Sequence, residues 1–360
     1  MKLTEIVKNF GKAKVAVIGD FNVDALVYGK HTGFSRESAA PILGVNDINY
    51  HPGAAANLAA NLLSLGVGLL CPIGTVGNLK YNGVTLDVGD FLWNYFNNNQ
   101  KVQNELIKCD RPTYTYLKIL AKGEGTSTSS QQWYRIDMGT KTPLTEDLEI
   151  KVSVGLDYAM KNCDILIVSD YGKGLITEKI LAHINENYKN KIKIGTARKE
   201  AYKLYGFDII ALNDYETIKS DWIPIEVDEN ERVKDDLLIE YAGALLHKTK
   251  ARNLVVSRGA NGISLFNEVI DSNPLILNST FGRNTVTEHI HIPTKPKEVV
   301  DITGAGDSTL AAIVASLGAG AELADAARIG NYAGGLAIQK PGTATITQEE
   351  LIVEIENDKR

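Results

Sequence analysis

The residues with most bearing on chemistry lie late in the chain, in Asp301-Ile-Thr-Gly-Ala-Gly-Asp307, followed at once by the apolar stretch Ser308–Leu317. Small residues let a backbone approach a ligand closely, and the N–H groups at a helix start point toward an anion. Gly304, Ala305 and Gly306 could therefore donate to a phosphoryl group whose charge grows in a transition state. Asp307 sits at that turn, placed to accept a proton from an attacking hydroxyl. The same segment also reads as a tight turn in which Asp307 merely caps the helix.

Weaker signals are spread through the chain. Gly19-Asp-Phe-Asn-Val-Asp24 sets Asn22 and Asp24 just past a strand, where they could share one side and bind hydroxyls, although both types are common in turns. Pro52-Gly-Ala-Ala-Ala-Asn57 leads into a small-residue helix, in which Asn57 is either a ligand contact or a satisfied polar group. Asn213-Asp-Tyr-Glu216 follows a buried strand; a carboxylate there suits a hydrated Mg²⁺ near phosphates, or simply starts a capped helix. Glu288-His-Ile-His291 puts two imidazoles on one face of a strand, a metal pair with no evident third ligand. There is no GxxxxGK[ST], and no GxGxxG follows the first strand, so the P-loop and NAD fingerprints are missing.

These residues need a scaffold. Lys14–Asp20 is a continuous β-branched run, the pattern of a parallel strand buried on both faces. Further buried runs occur at Asp164–Ser169, Lys191–Ile194, Asp208–Leu212, Asn253–Ser257 and Gly262–Phe266. Helical stretches separate them, at Ala54–Leu65, Glu178–Tyr188, Val233–Lys248 and Asp307–Leu317. Such alternation predicts a doubly wound α/β sheet, whose ligands bind at the carboxyl ends of the strands. Pro41–Tyr50, Arg111–Leu120 and Gln131–Ile136 instead alternate polar with apolar residues, as half-exposed strands do. They predict a small antiparallel flap, inserted at about 38–51 and 110–137 into a single domain spanning 1–360, with 123–130 as its hairpin loop.

Composition removes other classes. With 38 Lys and Arg against 44 Asp and Glu, the net charge of −6 argues against general nucleic-acid binding, which needs a basic surface. No stretch approaches the roughly 18 uncharged apolar residues of a membrane helix. The first twenty residues mix acids and bases where a signal peptide needs an unbroken apolar core. Cys71, Cys109 and Cys163 are far apart and form no CxxC, against a disulfide or zinc framework. The expectation is a reduced, cytoplasmic protein.

Together and in this order, these segments resemble the ribokinase-like (PfkB) carbohydrate kinases, from about Ala13 to Thr347. The signature Asp-x-Thr-Gly-Ala-Gly-Asp is intact at Asp301–Asp307 and Asn-x-x-Glu at Asn213 and Glu216. The N-terminal Gly-Gly signature is present in part, with Ala54 where a second Gly is usual. Within the family, Gly19-Asp20…Asp24, Ala40-Pro-Ile42, Pro52–Asn57, Ser169-Asp-Tyr-Gly-Lys-Gly174 and Gly342-Thr-Ala-Thr345 look closest to the heptose 7-phosphate kinases of ADP-heptose synthesis. The resemblance implies a doubly wound, mostly parallel α/β sheet flanked by helices, with a small antiparallel β-sheet lid that closes over the site. It implies ATP and Mg²⁺ as cofactors and leaves a monovalent cation open. Asp307 would be the base, and the amides of Gly304, Ala305 and Gly306 the anion hole. Asn22, Asp24, Gly53 and Asn57 would hold sugar hydroxyls, and Asn213 and Glu216 would lie near the Mg²⁺-bound phosphates. Ser257, Gly259 and Gly262 would line the nucleotide site, with Asn331 near the base of the nucleotide.

Departures from the family fall on the sugar side. Arg36 is shifted from the usual arginine, Gly195-Thr196-Ala-Arg198 replaces an Asp followed by Pro or Ser, and Tyr116 stands where the lid usually carries a basic residue, with Lys118 on the same face. A sugar phosphate would need cations; Lys173, Arg111, Lys118, Arg135 and Arg198 are candidates, each equally able to be a solvated surface residue. The chain ends at Arg360, short of the nucleotidyltransferase domain fused to some heptose kinases. The expected activity is transfer of the ATP γ-phosphoryl group to a hydroxyl, the anomeric one by resemblance, of a heptose 7-phosphate or similar sugar phosphate. The alternatives are a free sugar or nucleoside as acceptor, or a catalytically lapsed sugar-sensing protein. Lids of this family often pair, so Tyr114, Tyr116, Trp133 and Tyr134 could face a second copy or pack on the main domain.

Overall fold

The β-branched run after Ala13 forms β1 (Lys14–Gly19), with Val15 to Ile18 wholly buried. A computed structural model describes residues 2–81, 84–122, 130–218, 235–270, 285–295 and 297–358. The chain continues through β2 (Phe21–Phe34), β3 (Pro41–Ala54), β4 (Leu69–Val76), β5 (Leu79–Tyr81), β6 (Val84–Leu86) and β7 (Glu105–Lys108). Then come β8 (Thr115–Lys122), β9 (Ser130–Met138), β10 (Ile165–Asp170), β11 (Ile192–Ala197) and β12 (Ile209–Asn213). Last are β13 (Asn253–Ser257), β14 (Ile263–Ile270) and β15 (Thr285–Ile292). Of the expected hairpin loop, 123–129 lies outside the described residues.

Nine strands form one sheet in the order β15-β14-β13-β12-β11-β10-β1-β4-β7. All pairings are parallel except those of β14 with β13 and β15. Alternate residues feed two cores. Val15, Val17, Ile165 and Ile167 pack with Leu58, Leu62, Ala311 and Ile329; Ala16, Ile18, Leu166 and Val168 pack with Leu156, Ile180, Ile184 and Leu238. Helices therefore cover both faces, which leaves ligands the rim at the carboxyl ends of the strands.

The second sheet has the order β3-β2-β8-β9. Its outer pairs are antiparallel, and the middle pair, β2 with β8, is parallel. β3, β8 and β9 match the expected lid strands, at Pro41–Ala54, Thr115–Lys122 and Ser130–Met138 rather than about 38–51 and 110–137. β2 is not among the strands that the sequence predicts, because Asn22 and Asp24 are polar yet buried and so disguise its period. One face of this sheet presents Asp24, Tyr116 and Asp137 in a row, with Leu26, Lys118 and Arg135 beside them. The other presents Ile48, Val27, Ile119 and Tyr134.

The imidazoles of Glu288–His291 do not make a metal site. His289 stacks on Phe266, and both His289 and His291 approach Ser264 Oγ, at 3.0 and 3.5 Å. Among the described residues no group of three or more His, Cys, Asp or Glu could hold a metal ion, and no helix is long and apolar enough to cross a membrane. All three cysteines are free.

Candidate active site

Asp307 lies in the first turn of helix Ala305–Gly318, whose N-cap Gly304 is left-handed at φ 79°. A Cβ there would sit 2.8 Å from Asn57 Nδ2, so glycine answers both the turn and the close approach. A Cβ on Gly306 would meet nothing, so open space lies before the helix start, where an anion can approach the amides.

Both oxygens of Asp307 are held. Asn57 Nδ2 donates to Oδ2 at 2.7 Å, and the Tyr171 hydroxyl donates to Oδ1 at 3.0 Å. Asn61 Nδ2 donates to Asn57 Oδ1, and Ser308 Oγ to Asn61 Oδ1, which turns the Asn57 amide N–H toward the carboxylate. Burial pushes the Asp307 pKa up to about 6, against the pull of these two donors and of Arg198. A carboxyl in that range works well as a base at neutral pH.

Asp20 closes β1 and binds three amides of the loop after β10, those of Tyr171, Lys173 and Leu175, at 2.9, 3.0 and 3.2 Å. Neither Asp20 nor Tyr171 stands out as a site residue in the sequence. The Ser-Asp-Tyr-Gly-Lys-Gly segment was the available signal. Asn22 and Asp24 do share one side of β2. Asn22 Nδ2 is buried with no partner among the described residues, as suits a donor awaiting a hydroxyl. Asp24 is ion-paired with Lys118 at 3.1 Å, and burial raises its pKa. Gly53 lies opposite Asn22 in register.

Beyond Asp307, a cavity of about 450 Å³ is lined by Arg198, Asn213, Glu216, Ser257, Gly304 and Gly306, among others. Asn213 and Glu216 cap the helix Asp214–Ile218 reciprocally: Glu216 N donates to Asn213 Oδ1 at 2.6 Å, and Asn213 N to Glu216 Oε2 at 3.1 Å. Glu216 Oε1 is left toward Arg198, 3.9 Å away. Gly259 (φ 52°) and Gly262 (φ 81°) flank the turn after β13. A Cβ at Gly262 would strike Ile292 O at 2.1 Å, so that glycine serves the backbone itself. Asn331 is not brought to this cavity; it donates to Pro293 O and lines another of about 300 Å³.

Residues 206–350 match the family model described as pfkB family carbohydrate kinase. That match covers 145 of the chain's 360 residues. The fold is ribokinase-like. Among solved structures, phosphofructokinase-2 from Escherichia coli in complex with potassium superposes with a TM-score of 0.71, at 19% identity over 97% of this chain and 99% of that one. Ribokinase from Thermotoga maritima gives 0.63, at 19% identity over 96% and 100%. Among curated proteins, the bifunctional protein HldE of Shewanella denitrificans is 29% identical over 95% of this chain, and that of Trichlorobacter lovleyi 28% over 96%. The chain spans 63% and 64% of the length of those two relatives.

Within the fold, the five candidate cations separate. Arg111 donates to the carbonyls of Thr142 and Lys173, bracing a loop. Lys118 is committed to Asp24, and Arg135 to both oxygens of Asp137. Arg198 stacks over Tyr171, 4.7 Å from the ring centroid, beside the nucleotide cavity. Lys173 is only 9% exposed and makes no ion pair within 4.0 Å of a carboxylate among the described residues. Its ammonium lies 3.7 Å from the Tyr114 ring centroid and 5.5 Å from that of Tyr116, and burial lowers its pKa against the pull of Asp137 and Asp20. A desolvated ammonium against ring faces favours an arriving anion.

Proposed function

We propose that this chain is a sugar kinase, transferring the γ-phosphoryl group of ATP to a hydroxyl of a sugar that already carries a phosphate, with a heptose 7-phosphate as the leading acceptor. The observation that carries the reading is the doubly held Asp307 at a helix start with open space before it. The likeness to the two HldE proteins, over 95% and 96% of this chain but 63% and 64% of theirs, supports the heptose, and Lys173 supports a phosphorylated acceptor.

In the proposed reaction, Asn22 and Asp24 hold sugar hydroxyls on the lid side. Asp307 takes the proton of the attacking hydroxyl as its oxygen bonds to the γ-phosphorus. The bond from that phosphorus to the β–γ bridging oxygen breaks, and ADP leaves. The amides of Gly304, Ala305 and Gly306 receive the growing negative charge. Glu216 Oε1, facing the cavity, fits an outer-sphere partner for Mg²⁺, which keeps most of its waters. Bound there, Mg²⁺ would neutralise phosphate charge. Ser257 and Gly259 would border the nucleotide.

ATP consumption with Mg²⁺ across heptose 7-phosphates, hexose phosphates, free sugars and nucleosides tests the reading, with Asp307→Asn beside the wild type. Turnover on a sugar phosphate that collapses in the variant is the expected result. Turnover only on nucleosides or free sugars overturns the acceptor assignment.

A homodimer through the lid belongs to the same reading. Ile48 and Tyr134 are about half exposed in the apolar row of the lid, and Ile136 beside them is similarly exposed. Tyr114 and Tyr116 instead turn toward Lys173.

A further inference from the structure

We propose that Tyr171 is a positioning residue for the base; this rests on Asp307 acting as the base of the sugar kinase reaction. The phenol hydroxyl donates to Asp307 Oδ1 at 3.0 Å. The Arg198 guanidinium covers the phenol ring, 4.7 Å from its centroid, and holds the ring in place from above.

The phenol has a fixed origin. Asp20 anchors the amide of Tyr171 at 2.9 Å and those of Lys173 and Leu175 beyond it. Asn57 holds the other oxygen of Asp307 at 2.7 Å, and its own amide is oriented by Asn61. Each carboxylate oxygen has two lone pairs. With one donor on each, the plane of the carboxylate is set and lone pairs remain for the acceptor hydroxyl. Without the phenol, the carboxylate keeps one anchor and can rotate about its Cβ–Cγ bond. The guanidinium also faces Glu216 at 3.9 Å, so the chain of contacts reaches from the base to the nucleotide side.

Tyr171→Phe keeps the ring beneath Arg198 and removes only the O–H. Two readouts decide the matter: the pH dependence of kcat, and the titration of the Asp307 carboxyl followed by ¹³C NMR in the protein alone. The expected result is kcat lower by about 10- to 100-fold, with KM for ATP within about twofold. The acid limb and the Asp307 titration should both move up by about one pH unit, because a donor to the charged form is gone. An acid limb and a titration that stay where they were overturn the proposal. If the wild type phosphorylates nothing, the kinase reading fails, while the ¹³C titration still tests the hold of Tyr171 on Asp307. If Tyr171→Phe does not fold, replacement of Tyr171 by 3-fluorotyrosine takes its place: the more acidic hydroxyl donates more strongly, so a downward shift of the Asp307 titration supports the proposal and an unmoved titration overturns it.

Discussion

Asn57 and Asp307, 250 positions apart in the sequence, are joined by a 2.7 Å hydrogen bond, and Asn61 allows the amide only one orientation for it. The Asp307 carboxylate is thus set by the packing of two helices, Ala55–Ser64 and Ala305–Gly318, not by its own turn alone.

Gly304 lies where those helices meet. In Gly304→Ala, the new methyl would sit 2.8 Å from Asn57 Nδ2 on a backbone at φ 79°. We expect a loss of about 1–3 kcal/mol in urea unfolding and a larger proportional fall in kcat than in stability. Unchanged kcat would show that the Asn57–Asp307 contact can be displaced without consequence.

Asp307 should cost the fold stability near neutral pH. Its folded pKa of about 6 lies above the ordinary 3.8, so the penalty of the buried charge is absent below pH 4 and complete above pH 6. Asp307→Asn should therefore be inactive yet more stable by about 1–2 kcal/mol at pH 7.5, with the gain vanishing toward pH 4. Thermal unfolding across pH reads it directly.

Ala54 is the N-cap of helix Ala55–Ser64 at φ 54° and ψ −128°, a conformation open to glycine and strained for alanine. Ala54→Gly should raise the melting temperature by a few degrees, relief of about 1–3 kcal/mol of strain exceeding the entropy glycine adds to the unfolded chain. A lower melting temperature would mean that the methyl packs better than its backbone suggests.

Lys173→Met should raise KM for a sugar phosphate by about 10- to 100-fold, as expected for loss of one charged contact, and leave KM for ATP unchanged. On the same sugar without its phosphate, variant and wild type should be alike. Equal losses on both acceptors would make Lys173 a packing residue.

The exposed row of the lid gives the assembly test. Ile48→Glu together with Tyr134→Glu places charges on its two outer strands. If the lid mediates a dimer, light scattering should show the wild type as a dimer and the variant as a monomer. A dimer that survives both charges lies elsewhere.

Much of this was legible because it rests on local signals. The buried strands appear as β-branched runs, and the catalytic turn as small residues before an apolar helix. What escaped depends on distance. Asp20 looks like a strand-end acid until its three amide partners are seen, and Tyr171 belongs to the site only because Asp20 holds its loop. The five cations were indistinguishable in sequence, since partners such as the carbonyl of Lys173 for Arg111 are fixed only by the fold. β2 was hidden by Asn22 and Asp24, polar residues that the fold nonetheless buries.

The polar ladder from Ser308 through Asn61, Asn57 and Asp307 to Tyr171 draws on three separate regions of the chain. A chain emerging from the ribosome would present Asn57 and Tyr171 well before Asp307 exists to bind them. Until the turn at residues 301–308 has been made, Asn57 and Tyr171 have no carboxylate between them, and the ladder closes only when that turn folds back onto two regions already in place.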